Sequence, residues 1–313
     1  MESQTIQELE ALTPTEIDAG LVFSGVPTGN KIWGYQNPCL YTPAIDPHYS
    51  FHESARDAAV WFMNKLDPLY LYGPTGSGKT SLIKQLAARL NYPVFEVTGH
   101  GRLEFADLCG HISLHEGSMR YEYGPLALAM RYGGMLINEV DLLSPEVAVR
   151  LNGVLEGAPL CLPENGGEVI HPHEMFCIAC TGNTNGGGDD TGLYQGTGRM
   201  NLAWLDRFML CEVNYPDAAV EKNLLLKLYP TLPEPVISNM VEFANEIRKQ
   251  FIGSSDSYAD TIQVTLSTRT LIRWAELTLR FQPLAHQGIQ PLSYALDRAL
   301  GFSGIAPYPR HAP

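Results

Sequence analysis

The chain has 313 residues, of which 45% are hydrophobic and 18% charged, a composition that builds a well-buried core and excludes a disordered or fibrous protein. Acidic side chains outnumber basic ones by 34 to 21, for a formal net charge of −13; such a surface counts against nucleic acid as the main partner, which would need a local basic channel. Six cysteines in a chain of this length do not make a disulfide scaffold. No apolar run is long enough for a membrane span, and the start, Met1-Glu-Ser-Gln-Thr-Ile-Gln-Glu8, lacks the basic and apolar regions of a cleaved signal, so a cytoplasmic protein is expected.

Residues 1–45 carry no clear period. Turn residues at Gly25-Val-Pro-Thr-Gly-Asn30 and the prolines at 38, 43 and 47 read as an irregular extension rather than a folded module, with Trp33 and Tyr35 as possible anchors. Phe51–Leu66 has apolar residues at helical spacing and is ended by Asp67-Pro68. Leu69-Tyr-Leu-Tyr72 then reads as a buried strand. It runs into Gly73, Pro74, Thr75, Gly76, Ser77, Gly78, Lys79 and Thr80, the phosphate-binding pattern G-x-x-x-x-G-K-[ST], and Ser81–Leu90 continues as a helix. Glycines let successive N–H groups turn toward phosphate oxygens at a helix N-terminus. Lys79 is suited to the β- and γ-phosphates and Thr80 to Mg²⁺. The chain is thus read as nucleotide-binding.

Pro93–Val97 is a second strand candidate. His100, Glu104, Asp107 and His111 follow without a metal-ligand spacing and read as a polar loop. Asp107-Leu-Cys-Gly110 mimics a GTP-switch element, but no base-reading N-K-x-D follows the phosphate loop, which disfavours GTP. A short helix is expected over 125–132. Gly133–Asn138 is an apolar strand ending at Asn138-Glu139, beside the phosphate loop in a parallel sheet. That places Glu139 to activate water and Asn138 near the metal. Ser144-Pro145 opens a helix, and Glu-Asn-Gly-Gly at 164–167 signals a hairpin within 160–170. Cys177-Ile-Ala-Cys180 has redox spacing but lies in an apolar stretch and reads as a buried strand. It ends at Asn183, whose amide can hold water or touch the γ-phosphate.

The glycine-rich loop 186–198 contains Asp189 and Asp190, which either cap turns or bind metal. Arg207 in Leu205-Asp-Arg-Phe208 either pairs with Asp206 or projects into the nucleotide site of a neighbouring subunit. Helices are expected over Val220–Leu228, Val236–Phe251 and Thr268–Leu279, with Arg269 at the start of the last, where a phosphate would give a cation a positive reason to sit. One more helix and a Pro-rich tail finish the chain.

This ordered set resembles the AAA+ ATPases of the MoxR group, and within it the cobaltochelatase small-subunit (CobS-type) ATPases. The most specific part is Ala179–Thr197 followed by Asn201 and Leu205–Phe208. The resemblance implies an α/β fold, a P-loop NTPase parallel-sheet core with a smaller C-terminal helical domain. Its expected boundaries are an N-terminal extension over 1–45, the nucleotide-binding domain over 46–216, a helical lid over 217–300 and a tail over 301–313. It implies ATP and Mg²⁺ as cofactors, with residues 73–81 holding the nucleotide and Thr80 and Asn138 the metal. Lys79, Glu139, Asn183 (sensor 1), Arg207 (the trans-acting finger) and Arg269 (sensor 2) would be the catalytic set. It also implies a homo-oligomeric, usually hexameric ring acting on a von Willebrand factor A-domain or chelatase-like partner, the 160–170 hairpin making ring or partner contacts. One departure stands out: where the family motif ends Asp-Glu, this chain has Asn138-Glu139. Turnover slower than in relatives is expected, or an assembly protein with negligible turnover. On this reading Asn138→Asp raises hydrolysis at limiting Mg²⁺.

Overall fold

The computed structural model describes residues 3–51, 54–64, 67–115, 117–188, 194, 196–252 and 265–302. Contacts divide the chain into two units: Met1–Pro47, Glu53–Gly73 and Lys79–Val213 form the first, and His48–His52, Pro74–Gly78 and Asn214–Pro313 the second.

The first unit begins with α1 (Ser3–Glu10), β1 (Pro14–Asp18), α2 (Ala19–Phe23) and β2 (Lys31–Tyr35). Residues 1–45 are therefore not irregular, as their sequence suggests. β1 and β2 pair antiparallel from Pro14↔Tyr35 to Asp18↔Lys31. Asp18 closes the connection, accepting from the backbone N–H groups of Gly20, Leu21, Thr28 and Gly29. Tyr35 is buried and donates to the Tyr132 carbonyl at 2.7 Å, whereas Trp33 points outward at 42% exposure. A hairpin joined by twelve residues leaves no local period, because its pairing and its burial are both non-local.

There follow α3 (Ala55–Asn64), β3 (Leu69–Tyr72), α4 (Lys79–Arg89), β4 (Val94–Thr98), α5 (Phe105–Cys109), β5 (Gly110–His115), β6 (Ser118–Tyr123), α6 (Pro125–Tyr132), β7 (Gly134–Asn138), α7 (Pro145–Leu155), β8 (Leu160–Leu162), β9 (Glu168–Ile170), β10 (Cys177–Gly182), α8 (Leu202–Leu205) and β11 (Met209–Glu212). Five strands form one parallel sheet in the order β11-β3-β10-β7-β4. A parallel sheet covered on both faces needs continuous apolar runs rather than alternation. Leu69, Tyr70 and Leu71 in β3 and every residue of β7 are accordingly buried. Cys180, in mid β10, is fully buried and burial pushes its thiol far up, as suits a core residue. Because all five strands run the same way, the segments after β3, β7 and β10 leave from one edge of the sheet.

The polar segment around 100–111 folds as α5, where Asp107 Oδ2 accepts from the Glu104 N–H at 2.9 Å, and passes into a β5–β6 hairpin that the sequence does not announce. The 160–170 hairpin is present as β8–β9.

The second unit carries α9 (Ala218–Leu228), α10 (Glu234–Ile252), α11 (Thr268–Arg280) and α12 (Pro291–Phe302). Ser267 caps α11 by accepting from the Thr270 N–H, and Leu271, Trp274 and Ala275 turn one face of that helix into a core shared with Leu225, Met240 and Ala295. Among the described residues, no helix is long and apolar enough to cross a membrane.

Candidate active site

The phosphate-loop sequence forces three left-handed backbone positions, Gly73 at φ 145°, Gly76 at 70° and Gly78 at 96°. A Cβ at Gly73 would meet the Val213 carbonyl at 2.3 Å, so a side chain is excluded there by space as well as by conformation. α4 begins at Lys79 itself. Leu82, Ile83, Leu86 and Ala87 anchor it in the core, which holds Lys79 and Thr80 in its first turn against the strand ends.

Within the first unit, the strand ends bring four of the expected residues together. Lys79 is 8% exposed, and its Nζ donates to the Gly73 carbonyl at 2.8 Å and to Asn183 Oδ1 at 3.2 Å. The Thr80 hydroxyl donates to Asn138 Oδ1 at 2.7 Å, and the Thr181 hydroxyl donates to the same oxygen at 3.2 Å. Glu139 follows directly. It adopts the left-handed conformation, φ 53° and ψ 45°, which costs roughly 1–2 kcal/mol for a residue with a Cβ. The turn holds it there: the Asn138 carbonyl accepts from the Gly99 N–H at 2.7 Å and the Glu139 carbonyl from the Leu142 N–H at 3.0 Å. The bend directs the Glu139 side chain out of the sheet, exposed.

Asp141 lies two residues beyond Glu139. It reaches β10, where Oδ2 accepts from the N–H groups of Asn183 at 2.8 Å and Thr184 at 3.2 Å, fixing the asparagine that meets Lys79. Asp141 is 4% exposed, and among the described residues its Oδ1 has no hydrogen-bond partner. Burial raises its carboxyl above the ordinary value, opposed by the two N–H groups and by the Lys79 charge.

Arg207 pairs with neither Asp206 nor the Lys79 cluster. Its guanidinium engages Glu156 at the end of α7, Nε to Oε1 at 2.7 Å, and the Ala203 carbonyl. It lines, with Asp141 and Trp204, a cavity of about 670 Å³. In the second unit, Arg269 lies beside the phosphate loop: a Cβ on Gly76 would be 3.7 Å from the Arg269 Cβ and 2.5 Å from the Ser267 Cβ. The Tyr215 hydroxyl donates to the Thr75 carbonyl at 2.9 Å. Asp189 and Asp190 lie outside the described residues.

Sequence reasoning missed Glu96, whose Oε1 accepts from Asn138 Nδ2 at 2.5 Å. The available signal was a lone carboxylate in an otherwise apolar strand, Val94-Phe-Glu-Val97, next to the strand bearing Asn138.

Residues 68–200 match the AAA domain (dynein-related subfamily), and residues 221–302 match the CbbQ/NirQ/NorQ C-terminal domain. The aerobic cobaltochelatase subunit CobS of a Sinorhizobium species is 30% identical over 286 residues, covering 88% of this chain and 84% of that protein. The chain belongs to the AAA+ ATPases of the CobS and NorQ type. Midasin of Dictyostelium discoideum is 28% identical over 262 residues, which are 81% of this chain but 4% of midasin. A RuvB variant of Thermotoga maritima overlays with a TM-score of 0.48 at 13% identity, over 80% of this chain and 65% of that one.

Proposed function

We propose that this AAA+ protein binds ATP with Mg²⁺ and hydrolyses it, as a ring of identical subunits, to remodel a partner protein or to assist metal insertion into one. The observation that carries the reading is the pairing of Lys79 with Asn183, and of Thr80 and Thr181 with Asn138, through three hydrogen bonds where the start of α4 meets the ends of β7 and β10. Residues 73–81 hold the triphosphate, Lys79 neutralises the β- and γ-phosphates, and Asn183 orients the attacking water. Glu139 accepts the proton of that water, which its exposed carboxylate is free to do. Thr80 Oγ1 and Asn138 Oδ1 form an all-oxygen donor set of the kind a hard divalent cation takes. When bound there, Mg²⁺ supplies charge stabilisation to the transferring phosphoryl group. Arg269 and, from a neighbouring subunit, Arg207 offset charge on the γ-phosphate. On this reading residues 46–216 are the nucleotide domain and 217–300 its helical lid, with 1–45 and 301–313 as extensions.

Likeness to a cobaltochelatase subunit supports a chelatase-like client; a von Willebrand factor A-domain partner and a cytoplasmic setting are further parts of the proposal. A hexamer is the ring number the family resemblance favours. The second reading is an assembly protein that binds ATP with little turnover, favoured by the amide at position 138; a nucleic-acid motor is opposed by the −13 charge. Phosphate release measured together with binding of a fluorescent ATP analogue separates them. Lys79→Ala is expected to weaken binding by about a hundredfold, through loss of charge-assisted bonds to phosphate. Unchanged affinity would remove the phosphate-loop assignment, and binding without release would favour the assembly protein.

A further inference from the structure

Asn138 is held at both ends of its amide. Oδ1 accepts from the hydroxyls of Thr80 and Thr181, and Nδ2 donates to Glu96. A carboxylate only accepts, so Glu96 decides which end of the amide faces which way: nitrogen toward β4, oxygen toward Thr80. The strand register makes this reach possible. Thr98 lies opposite Asn138 and Glu96 opposite Leu136, which puts Glu96 and Asn138 on one face of the β4–β7 pair, one diagonal step apart. The second Glu96 oxygen pairs with Lys84 Nζ of α4 at 2.5 Å, both side chains being about one-third exposed, at 36% and 35%.

We propose that Glu96 is a positioning residue for the metal end of the nucleotide site: it turns the Asn138 oxygen toward Thr80 and supplies, one side chain removed, the negative charge that Asn138 lacks. The inference rests on the nucleotide-site reading above. The negative charge of the family's usual Asp-Glu pair is on this account displaced onto the adjacent strand rather than lost, and Lys84 sets how much of it the site feels. An aspartate at 138 would have no N–H to give Glu96 and would bring a second carboxylate to a 2.5 Å contact. Asn138→Asp alone therefore fails to give the gain in hydrolysis that the sequence by itself suggests; the gain needs the neighbouring charge removed as well.

The test uses the full chain and a fluorescent ATP analogue, titrated in EDTA and across a MgCl₂ series, with thermal melts to check folding. Glu96→Gln keeps an acceptor for the amide and removes the charge; it should raise the Mg²⁺ concentration for half-maximal stimulation of binding on the order of threefold to tenfold. Its affinity in EDTA should stay within about twofold of wild type. Lys84→Met, which removes the opposing ammonium, should move the Mg²⁺ dependence the other way. Asn138→Asp should do no better than wild type, and the Glu96→Gln/Asn138→Asp double variant should match or exceed it. If Glu96→Gln and Lys84→Met shift the dependence in the same direction, or the double variant is worse than both singles, the pair is structural and the proposal is overturned. Analogue binding with an unaltered Mg²⁺ dependence in Glu96→Gln overturns it too, while leaving the nucleotide site in place. No binding by wild type at any Mg²⁺ concentration would overturn the nucleotide-site reading and this inference with it.

Discussion

Two groups of polar side chains, one in each unit, show opposite uses of burial. In the helical unit, Glu221 and Arg248 are 1% and 4% exposed and form two mutual hydrogen bonds at 2.7 and 2.9 Å. Thr268 donates to Glu221 at 2.6 Å, while Arg248 donates to the Leu266 carbonyl and Asn245 and lies over the Tyr215 ring. Each charge is surrounded by partners from α9, α10 and the approach to α11. At the sheet edge of the first unit the polar groups are less fully matched: Glu139 stands exposed on a left-handed turn, and Asp141 keeps an oxygen without a hydrogen-bond partner among the described residues. Saturated charges fix a structure; undersaturated ones, held in place by their neighbours, are what a ligand can complete. Both places contain buried charge, so burial alone does not tell the structural ion pair from the candidate site.

The sharpest way to break this contrast is Glu139→Gln. Among the described residues the carboxylate has no partner to lose, so nucleotide binding and the melting temperature should hold while phosphate release falls by about 10²–10⁴-fold. A comparable loss of stability would mean that Glu139 belongs with the saturated group. The converse test is Glu221→Ala, which strands a buried guanidinium. It should destabilise the helical unit by about 3–5 kcal/mol in chemical denaturation. Replacing Glu221 and Arg248 together with apolar residues of similar volume should recover most of that loss, because a fully paired buried ion pair contributes little net stability against a hydrophobic pair.

Arg207 falls between the two classes, paired with Glu156 yet lining an open cavity. Arg207→Ala should leave analogue binding by single subunits intact and lower hydrolysis by the assembled protein roughly tenfold to a hundredfold. Mixing it with Glu139→Gln subunits should restore part of the activity, because some interfaces then join an intact Glu139 to an intact Arg207; absence of recovery in a verified mixed assembly would return Arg207 to a packing role.

The smallest effect is expected at Asp141. Its carboxyl is raised by burial, so the native state binds a proton more readily than the unfolded one. That contribution to stability is complete below the ordinary value of 3.8 and is lost as the pH climbs through the raised value. Asp141→Asn keeps an acceptor for the Asn183 and Thr184 N–H groups and removes the titration. Its stability relative to wild type should therefore rise with pH across that window, within the roughly 0.5–1.5 kcal/mol of one hydrogen bond. A flat difference would mean that the Lys79 charge offsets the burial of Asp141 at every pH.

The sequence by itself determined what local pattern and chemistry control. The phosphate loop follows from glycines in fixed order before a lysine, the central strands from short apolar runs, α11 from its helical pattern, the start of α7 from Ser144-Pro145, and the β8–β9 turn from Glu-Asn-Gly-Gly. The positions that converge at the sheet edge were legible because strands in a parallel sheet all end on the same side. Tertiary structure decided the rest. The β1–β2 pair in the extension, the β5–β6 hairpin, the attachment of Asp141 to β10, the pairing of Arg207 with Glu156 and the buried Glu221–Arg248 pair all depend on which distant residue lies opposite. Separations of 42 residues between Glu96 and Asn138 and of 42 between Asp141 and Asn183 leave no trace in any local period. A side chain's charge can be read from its letter, but whether that charge is satisfied, exposed or left for a ligand is fixed only when the strands take their order.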